Sequence, residues 1–184
     1  MSLLIEDLVV EAARGLPAMK SETLAAAELT DADRDAAVAY AQAHPDHSAY
    51  LVLIALRRHD VEGYRTVPDA TKAAILAGAL GHLILLNDWG SLDPAGSHDG
   101  EAAMALLEVG PPAISALLPL LRDDRSAPLF GSEPATLSTS YHYRRKDFAY
   151  RYICLLSGRE PTFDADPSVR DAAIERLQAD LGAR

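Results

Sequence analysis

Residues 101–124 constrain the fold of this chain more than any other part of the sequence. Their letters, EAAMALLEVGPPAISALLPLLRDD, predict two short amphipathic helices joined by a tight Gly-Pro-Pro turn. A hairpin of this size cannot cover its own apolar faces, so it needs neighbouring helical hairpins of the same kind. The residues expected to be buried are Ala103, Leu106 and Leu107 on the first helix, and Ile114, Leu117, Leu118 and Leu121 on the second.

Apolar periodicity and helix-end residues predict about nine helices, so the expected fold class is all-α. Thr30 followed by Asp33 is a typical helix start. Residues 47–58, HSAYLVLIALRR, are apolar on nearly all sides; a strand at YLVLI is the alternative, and the flanking helices favour a helix. A further apolar helix, TKAAILAGALGHLILLNDW, follows Pro68, and residues 87–100 and 123–134 are predicted loops.

Two more helices are predicted after these loops. The longest runs from about residue 135 to residue 157. The last begins at Asp166 and Pro167, because an Asp cap followed by Pro is a typical helix start. Its apolar stripe consists of Val169, Ala173, Leu177 and Leu181.

The hairpin resembles a HEAT-type repeat, in particular the short bacterial HEAT-like form. The C-terminal run RKDFAYRYICLLSGREPTFDADPSVRDAAIERLQADL resembles a terminal unit of such arrays, so the resemblance covers residues 101–124 and 144–181 and is weak before residue 90. It implies an α-solenoid-like stack of antiparallel hairpins that binds macromolecules, and it transfers no active-site residue. The matching residues are Ala102, Ala103, Ala105, Leu107 and Gly110 on the first helix, and Ala113, Ile114, Leu117, Leu120, Leu121 and Asp123 on the second.

No composition shift or low-complexity linker divides the chain, so residues 1–184 are predicted to form one all-helical domain. With 184 residues and 49% hydrophobic residues, the chain can bury a substantial core. Residues 1–86 are expected to supply divergent N-terminal helices, and residues 99–184 the HEAT-like helices.

Charge and composition favour some classes of partner over others. The formal net charge of −10 opposes binding to a phosphate backbone, so a nucleic-acid partner is not expected. Cys154 is the only cysteine and lies in an apolar run, which excludes an internal disulfide. The N-terminus lacks the basic region of a signal peptide, and no apolar run reaches the length of a membrane span. We therefore expect a cytoplasmic protein with no membrane partner.

The run YHYRRKDFAYRY is the main candidate for a binding surface. As one continuous helix, it would place Tyr141, Arg145, Phe148, Tyr152 and Leu155 on one side, with Arg144 at its border. In a structural interpretation, the aromatic rings are in the core and Arg144 or Arg145 pairs with a loop carboxylate, such as Asp88, Asp99 or Glu133. In a functional interpretation, the Arg and Tyr side chains line a concave groove for an acidic or phosphate-bearing partner.

The predicted loop NDWGSLDPAGSHDGE is the only candidate metal site in the sequence. It contains one His and several carboxylates, but these residues lack a recognised ligand spacing, so neither a metal nor a cofactor is expected. Trp89 can close the loop against the core. The residues considered as ligands are Asp88, Asp93, His98, Asp99 and Glu101.

Together these patterns predict a non-catalytic protein-interaction or scaffold module with a concave helical surface, rather than an enzyme. The partner would be another protein or peptide, acidic in character; the oligomeric state stays open. The alternative is an enzyme or small-ligand protein with a pocket between residues 87–100 and 141–152, and a nucleic-acid-binding array is the third option. The candidate binding residues are Trp89, Tyr141, Tyr143, Arg144, Arg145 and Tyr152.

Overall fold

The computed structural model describes residues 2–92 and 98–182, and this part of the chain is helical throughout. Its α-helices are joined by short loops and 3₁₀ turns, and its only β-type pairings are two isolated bridges. The predicted all-α class is therefore confirmed. The helices are α1 Leu3–Ala13, α2 Glu22–Ala25, α3 Asp31–Ala43, α4 Tyr50–His59, α5 Val61–Thr66, α6 Asp69–His82, α7 Glu101–Val109, α8 Ala113–Leu117, α9 Ser132–Ser140, α10 Arg145–Leu156 and α11 Pro167–Gly182.

Local side-chain chemistry starts several of these helices at the residues that the sequence indicates. The Thr30 hydroxyl accepts a hydrogen bond from the Asp33 amide, and the Asp33 carboxylate accepts one from the Thr30 amide. These two bonds form the capping box that begins α3. The Asp60 carboxylate accepts a hydrogen bond from the Gly63 amide and starts α5, a short helix that the sequence analysis did not predict.

The core is centred on α4 and α6. Every side chain from Tyr50 to Leu56 is fully buried, which explains why the run YLVLI is apolar on all sides and still helical. The helices α1, α3 and α5 pack against α4, whereas α7 and α8 pack against α6. The hairpin of α7 and α8 also contacts α10, so it lies between two neighbouring helices.

The hairpin of residues 101–124 forms as predicted, with one change in its second half. Leu106, Leu117 and Leu121 are buried, as expected. After Leu117 the chain tightens from α8 into a 3₁₀ helix, Leu118–Arg122, and this turn leaves Leu118 38% exposed. The prediction that Leu118 is buried is therefore wrong.

The predicted helix of residues 135–157 is interrupted, which changes the expected faces of the YHYRRKDFAYRY run. The chain leaves α9 at Tyr141, His142 takes a positive φ of 49°, and α10 begins at Arg145. The interruption is tertiary in origin, because the Tyr143 carbonyl accepts a hydrogen bond from Ala127 and the Arg145 amide donates to Arg125. Tyr141 and Tyr143 therefore do not lie on the helix that carries Phe148 and Tyr152.

Two further sequence predictions are corrected by the fold. The helix after Pro68 ends at His82, because the Ile84 amide pairs with the Gly15 carbonyl instead of continuing the helix. On α11, Val169 is 46% exposed, and Ile174 takes its place beside Ala173 and Leu177 in the buried stripe.

Across the described residues, no helix combines the length and the apolar character that crossing a membrane requires.

Candidate functional site

Four of the six predicted binding residues are buried. Arg145 is 7% exposed, and the exposed fractions of Trp89, Tyr143 and Tyr152 are 1% or less. Tyr141 and Arg144 are partly exposed. The predicted set is therefore mainly a set of interior contacts, which fall into three groups.

The first group joins Trp89 and Asp99 to α10. The Tyr152 hydroxyl donates to the Trp89 carbonyl oxygen, and it lies 3.3 Å from the Asp99 carboxylate. Arg151 pairs with the same carboxylate at 3.1 Å. Burial raises the pKa of the Tyr152 hydroxyl, so this group acts as a neutral hydrogen-bond donor. The two segments named in the small-ligand alternative thus meet through Trp89, Tyr152 and Asp99.

The second group is Arg145 with the C-terminal end of α6. Its guanidinium donates to the carbonyl oxygens of Leu80 and Leu83, at 2.5 and 2.8 Å. Carbonyl oxygens at a helix end lack helical partners, so a cation satisfies them and interacts favourably with the helix dipole. Burial lowers the pKa of Arg145, and the neighbouring Arg125 lowers it further. The structural interpretation assigned Arg145 a carboxylate, whereas these partners are backbone carbonyls.

The third group, which we call the α10–α11 junction, is an ion-pair network. Arg144 pairs with Asp147 and Asp171, each at 2.9 Å, and with Asp124 at 3.7 Å. None of the three carboxylates suggested from the sequence is among these partners of Arg144. The members of the junction are Arg144, Lys146 and Arg170 with Asp124, Asp147 and Asp171.

Aromatic rings complete the junction on the side of Tyr143. The Phe163 ring lies edge-on to Tyr143 at 5.4 Å and to Tyr141 at 5.8 Å between ring centroids. The Arg170 guanidinium lies 4.7 Å from the Phe163 ring centroid. These contacts hold the segment before α11 against the turn between α9 and α10.

The carboxylates considered as metal ligands have separate partners. Asp88 is buried, and it accepts hydrogen bonds from the Tyr50 hydroxyl at 2.6 Å and from the backbone amide of Ala18. Glu101 pairs with Arg58 at 2.5 Å, and Asp93 lies outside the described residues. Within residues 2–92 and 98–182, no three His, Cys, Asp or Glu side chains are grouped so that they could hold a metal ion.

Burial has a larger effect on the pKa of the Asp88 carboxylate than its hydrogen bonds have. Removal from water raises the pKa of Asp88, and the hydrogen bonds from Tyr50 and from the Ala18 and Met19 amides offset part of that effect. The carboxylate ties the 3₁₀ turn Ala18–Lys20 to the core, so its visible contacts are structural.

A surface cleft of about 520 Å³ lies where the end of α4 meets α5, α6 and α7. Its basic residues come from three different helices of the N-terminal half, and α7 contributes one acidic and one apolar residue. We call it the Arg57–Lys72 cleft. It is lined by Arg57, Val61, Tyr64, Arg65, Asp69, Lys72, Glu108 and Val109.

Each cation in this cleft pairs with a carboxylate that is exposed to solvent. Arg57 holds Glu108 by two hydrogen bonds, from Nη2 at 2.6 Å and from Nε at 3.1 Å. Arg65 pairs with Glu62 at 2.5 Å, and Lys72 pairs with Asp69 at 3.1 Å. The three carboxylate side chains are at least half exposed, whereas Lys72 is 8% and Arg57 is 19% exposed. The inner cations are therefore fixed, and their anionic partners lie at the rim.

Tyr64 lies in the wall of the cleft beneath these charges. The Lys72 ammonium is 4.7 Å from its ring centroid, and the residue is 7% exposed. Among the described residues, its hydroxyl has no hydrogen-bond partner. Burial, with the nearby charge of Glu108, raises the pKa of Tyr64 to about 12, so the group is a neutral donor with an unused hydrogen bond.

A second cleft, of about 490 Å³, involves two of the predicted residues. Tyr143 and Arg144 line it together with His142 and the segment of residues 126–128. Its one strong cation, Arg144, is already bound within the α10–α11 junction. This cleft therefore offers less positive charge than the Arg57–Lys72 cleft.

Sequence reasoning missed the Arg57–Lys72 cleft because its residues are far apart in the chain. Arg57 lies at the end of the apolar run of residues 47–58, and Glu108 is 51 residues away. One signal was present: Lys72 is the only Lys, Arg, Asp or Glu between Asp69 and Asp88. A single lysine on an apolar helix is costly to bury, which indicates a partner or a role.

Comparisons with protein-family models, with curated proteins and with solved structures give no match to this chain. The resemblance to HEAT-type repeats thus remains a prediction from the sequence pattern.

Proposed function

We propose that this protein is a non-catalytic interaction module in which HEAT-like helical hairpins form a concave binding surface. The position of the α7 and α8 hairpin between α6 and α10 supports this proposal, because stacking requires a neighbour on each side. The apolar faces of the hairpin pack against these neighbours and join a core that continues into both halves of the chain.

The partner that we propose is an acidic protein or peptide, and its binding surface is the Arg57–Lys72 cleft. The observation that carries this proposal is the grouping of Arg57, Arg65 and Lys72 around one concavity in a protein with a net charge of −10. A local concentration of guanidinium and ammonium groups favours carboxylates, even where the mean charge is negative. The lining contains these three cations and two carboxylates, Asp69 and Glu108, while Glu62, the partner of Arg65, lies outside the lining.

The other two options have less support from the contacts. For nucleic acid, the densest basic run would have to supply the contacts, yet Arg144, Lys146 and Arg151 pair with carboxylates and Arg145 binds carbonyl oxygens. For a small ligand, the cavity lined by Leu92, Arg151 and Phe163 has a volume of about 70 Å³. Ligand pockets are usually several times larger, at roughly 300–1,000 Å³.

The proposal is tested by the binding of fluorescein-labelled decaglutamate, with decaglutamine as the uncharged control peptide. At about 0.15 M salt the Debye length is roughly 8 Å, so the distant net charge is screened while contacts within the cleft persist. We expect a dissociation constant of roughly 0.1 mM for decaglutamate and no binding of decaglutamine. Equal binding of both peptides, or of neither, would overturn the proposal.

A variant pair assigns the binding to the cleft. Arg65→Ala removes a side chain that is 67% exposed, so the fold should be unaffected while decaglutamate binding weakens about threefold. Arg159→Ala is the matched control, because Arg159 forms a similar surface pair with Asp180 outside the cleft lining. Equal weakening by both variants would show that net charge, not the cleft, determines the affinity.

A further inference from the structure

The Arg57–Glu108 pair is a two-hydrogen-bond ion pair whose two members both line the Arg57–Lys72 cleft. The guanidinium uses Nε and Nη2 to hold both oxygens of one carboxylate, which is the arrangement in which arginine recognises carboxylates in general. Arg57 also lies 3.9 Å from Glu101, which helps to fix the guanidinium. The contact joins the end of α4 to the last turn of α7.

The two members of this pair differ in how firmly the fold holds them. The Arg57 side chain is 19% exposed, and the Glu108 side chain is 51% exposed. An exposed carboxylate on a flexible side chain exchanges readily with water, whereas the half-buried guanidinium keeps its position. A carboxylate arriving from outside can therefore replace Glu108 without any movement of the backbone.

Such a carboxylate would also meet a cation that Glu108 does not use. The Lys72 ammonium lines the same cleft, and it forms an ion pair with Asp69 at 3.1 Å. A ligand with more than one carboxylate could engage the Arg57 guanidinium and the Lys72 ammonium together.

We propose that Glu108 is an internal competitor that occupies the Arg57 guanidinium, and that a carboxylate of the acidic ligand displaces it on binding. This inference rests on the proposed function, because it concerns how the same cleft selects its ligand. Glu108 then sets a threshold: ligands with one weak carboxylate do not displace it, and ligands with several carboxylates do. The chemistry is shared by a free dicarboxylate and by the acidic side chains of a peptide.

The test compares decaglutamate binding to the wild-type protein, to Glu108→Gln and to Asp180→Asn. Asp180 is the matched control, because its side chain is 57% exposed and pairs with Arg159 outside the cleft lining, so its neutralisation removes one negative charge and leaves the cleft intact. We expect Glu108→Gln to tighten binding about tenfold and Asp180→Asn about twofold or less. Glu108→Ala should tighten binding by the same factor. Because alanine cannot hydrogen-bond to Arg57, this second variant excludes an effect of a new glutamine–arginine hydrogen bond.

The outcomes separate this inference from the proposed function. Equal tightening by Glu108→Gln and Asp180→Asn would attribute the effect to the net charge of the protein and overturn the inference. Weaker binding of decaglutamate by Glu108→Gln would show that Glu108 contacts the ligand, and it would also overturn the inference. In either case, binding of decaglutamate by the wild-type protein would still support the proposed function. If neither the wild type nor any variant bound decaglutamate, both the proposed function and this inference would be wrong.

A competition arm identifies the source of the carboxylate. Sodium glutarate is added to the complex of Glu108→Gln with labelled decaglutamate. Displacement at a glutarate concentration near that of peptide carboxylates would assign the cleft to free dicarboxylates as well as to peptides. Retention of the peptide would assign it to peptides alone, and both results agree with displacement of Glu108.

Discussion

The α10–α11 junction and the Arg57–Lys72 cleft contain the same kinds of residue but hold their cations differently. In the junction, Arg144 and Arg170 share the Asp147 carboxylate, whose side chain is 1% exposed. In the cleft, the nearest carboxylate partners of Arg57, Arg65 and Lys72 are at least half exposed, and Arg57 has a second, longer contact of 3.9 Å with Glu101, whose side chain is 24% exposed. A buried anion makes a cation structural, whereas a solvent-exposed anion leaves the cation open to exchange with a ligand.

The comparison implies that substitutions in the predicted YHYRRKDFAYRY region change stability, and that substitutions in the cleft change binding.

Trp89→Ala should cause the largest loss. Trp89 is fully buried, and its ring centroid lies 5.5 Å from that of Tyr152. Truncation therefore leaves a cavity and lowers the free energy of unfolding by about 3–5 kcal/mol. Urea unfolding monitored by circular dichroism measures this loss. Met104→Ala is the control, since Met104 is 50% exposed and its loss should cost little. If the Trp89→Ala protein were as stable as the wild type but bound decaglutamate differently, Trp89 would belong to the binding site and not to the core.

Asp147→Asn should lower the free energy of unfolding by about 3 kcal/mol, because it leaves Arg144 and Arg170 without the buried carboxylate that they share. Asp31→Asn is the control; Asp31 also pairs with an arginine in the i,i+3 arrangement, but its side chain is 98% exposed. Chemical denaturation at pH 7 compares the two. Equal costs would show that burial does not distinguish the ion pairs of this protein.

The pH dependence of stability should report the Asp171 carboxylate of the same junction. Burial alone would raise its pKa, but the hydrogen bond and charge of Lys146 and the charge of Arg144 lower the pKa below its ordinary value of 3.8. The folded state thus binds this proton less readily than the unfolded state, so its stabilisation is complete above pH 3.8. That stabilisation is lost as pH falls through the folded-state pKa.

Asp171→Asn isolates this contribution. Because the side chain is 40% exposed, we expect a cost of about 1 kcal/mol at pH 7. The difference between variant and wild type should vanish once the carboxylate is protonated in both states, which acid titration of the denaturation midpoint would show. A difference that persists unchanged in acid would exclude charge as its origin.

Glu108→Gln should have the smallest effect on stability, less than about 0.5 kcal/mol, since the carboxylate is half exposed. The same variant carries the largest expected change in peptide affinity. A thermal-unfolding scan beside the binding isotherm therefore separates the two roles. A substantial drop in melting temperature would show that the Arg57–Glu108 pair stabilises the fold. The contrast between the cleft and the α10–α11 junction would then be wrong.

The sequence predicted those parts of the fold that depend on local chemistry. The capping box of Thr30 and Asp33 begins α3, and the Gly-Pro-Pro turn joins α7 to α8, because both signals act within a few residues. The helix break at residues 141–144 depends on hydrogen bonds from Ala127 and to Arg125, which are distant in sequence. Helical periodicity contains no information on such pairings.

The candidate site was less predictable than the fold for a related reason. An Arg and Tyr cluster in the sequence has the composition of a binding surface, yet burial and pairing decide its role, and both depend on tertiary contacts. The Arg57–Lys72 cleft shows the converse, because Tyr64 and Glu108 line one cleft only when α4 packs against α5 and α6, and α6 packs against α7. Lys72 on its apolar helix was the one local indication.

The most direct test of this account is a titration of the ¹⁵N-labelled protein with decaglutamate, followed by ¹H–¹⁵N correlation spectra. We predict that the amide shifts concentrate at residues 57–72 and 108–109, and that residues 141–152 stay unchanged. Shifts concentrated at residues 141–152, or none near Arg57 and Lys72 at saturating peptide, would contradict it.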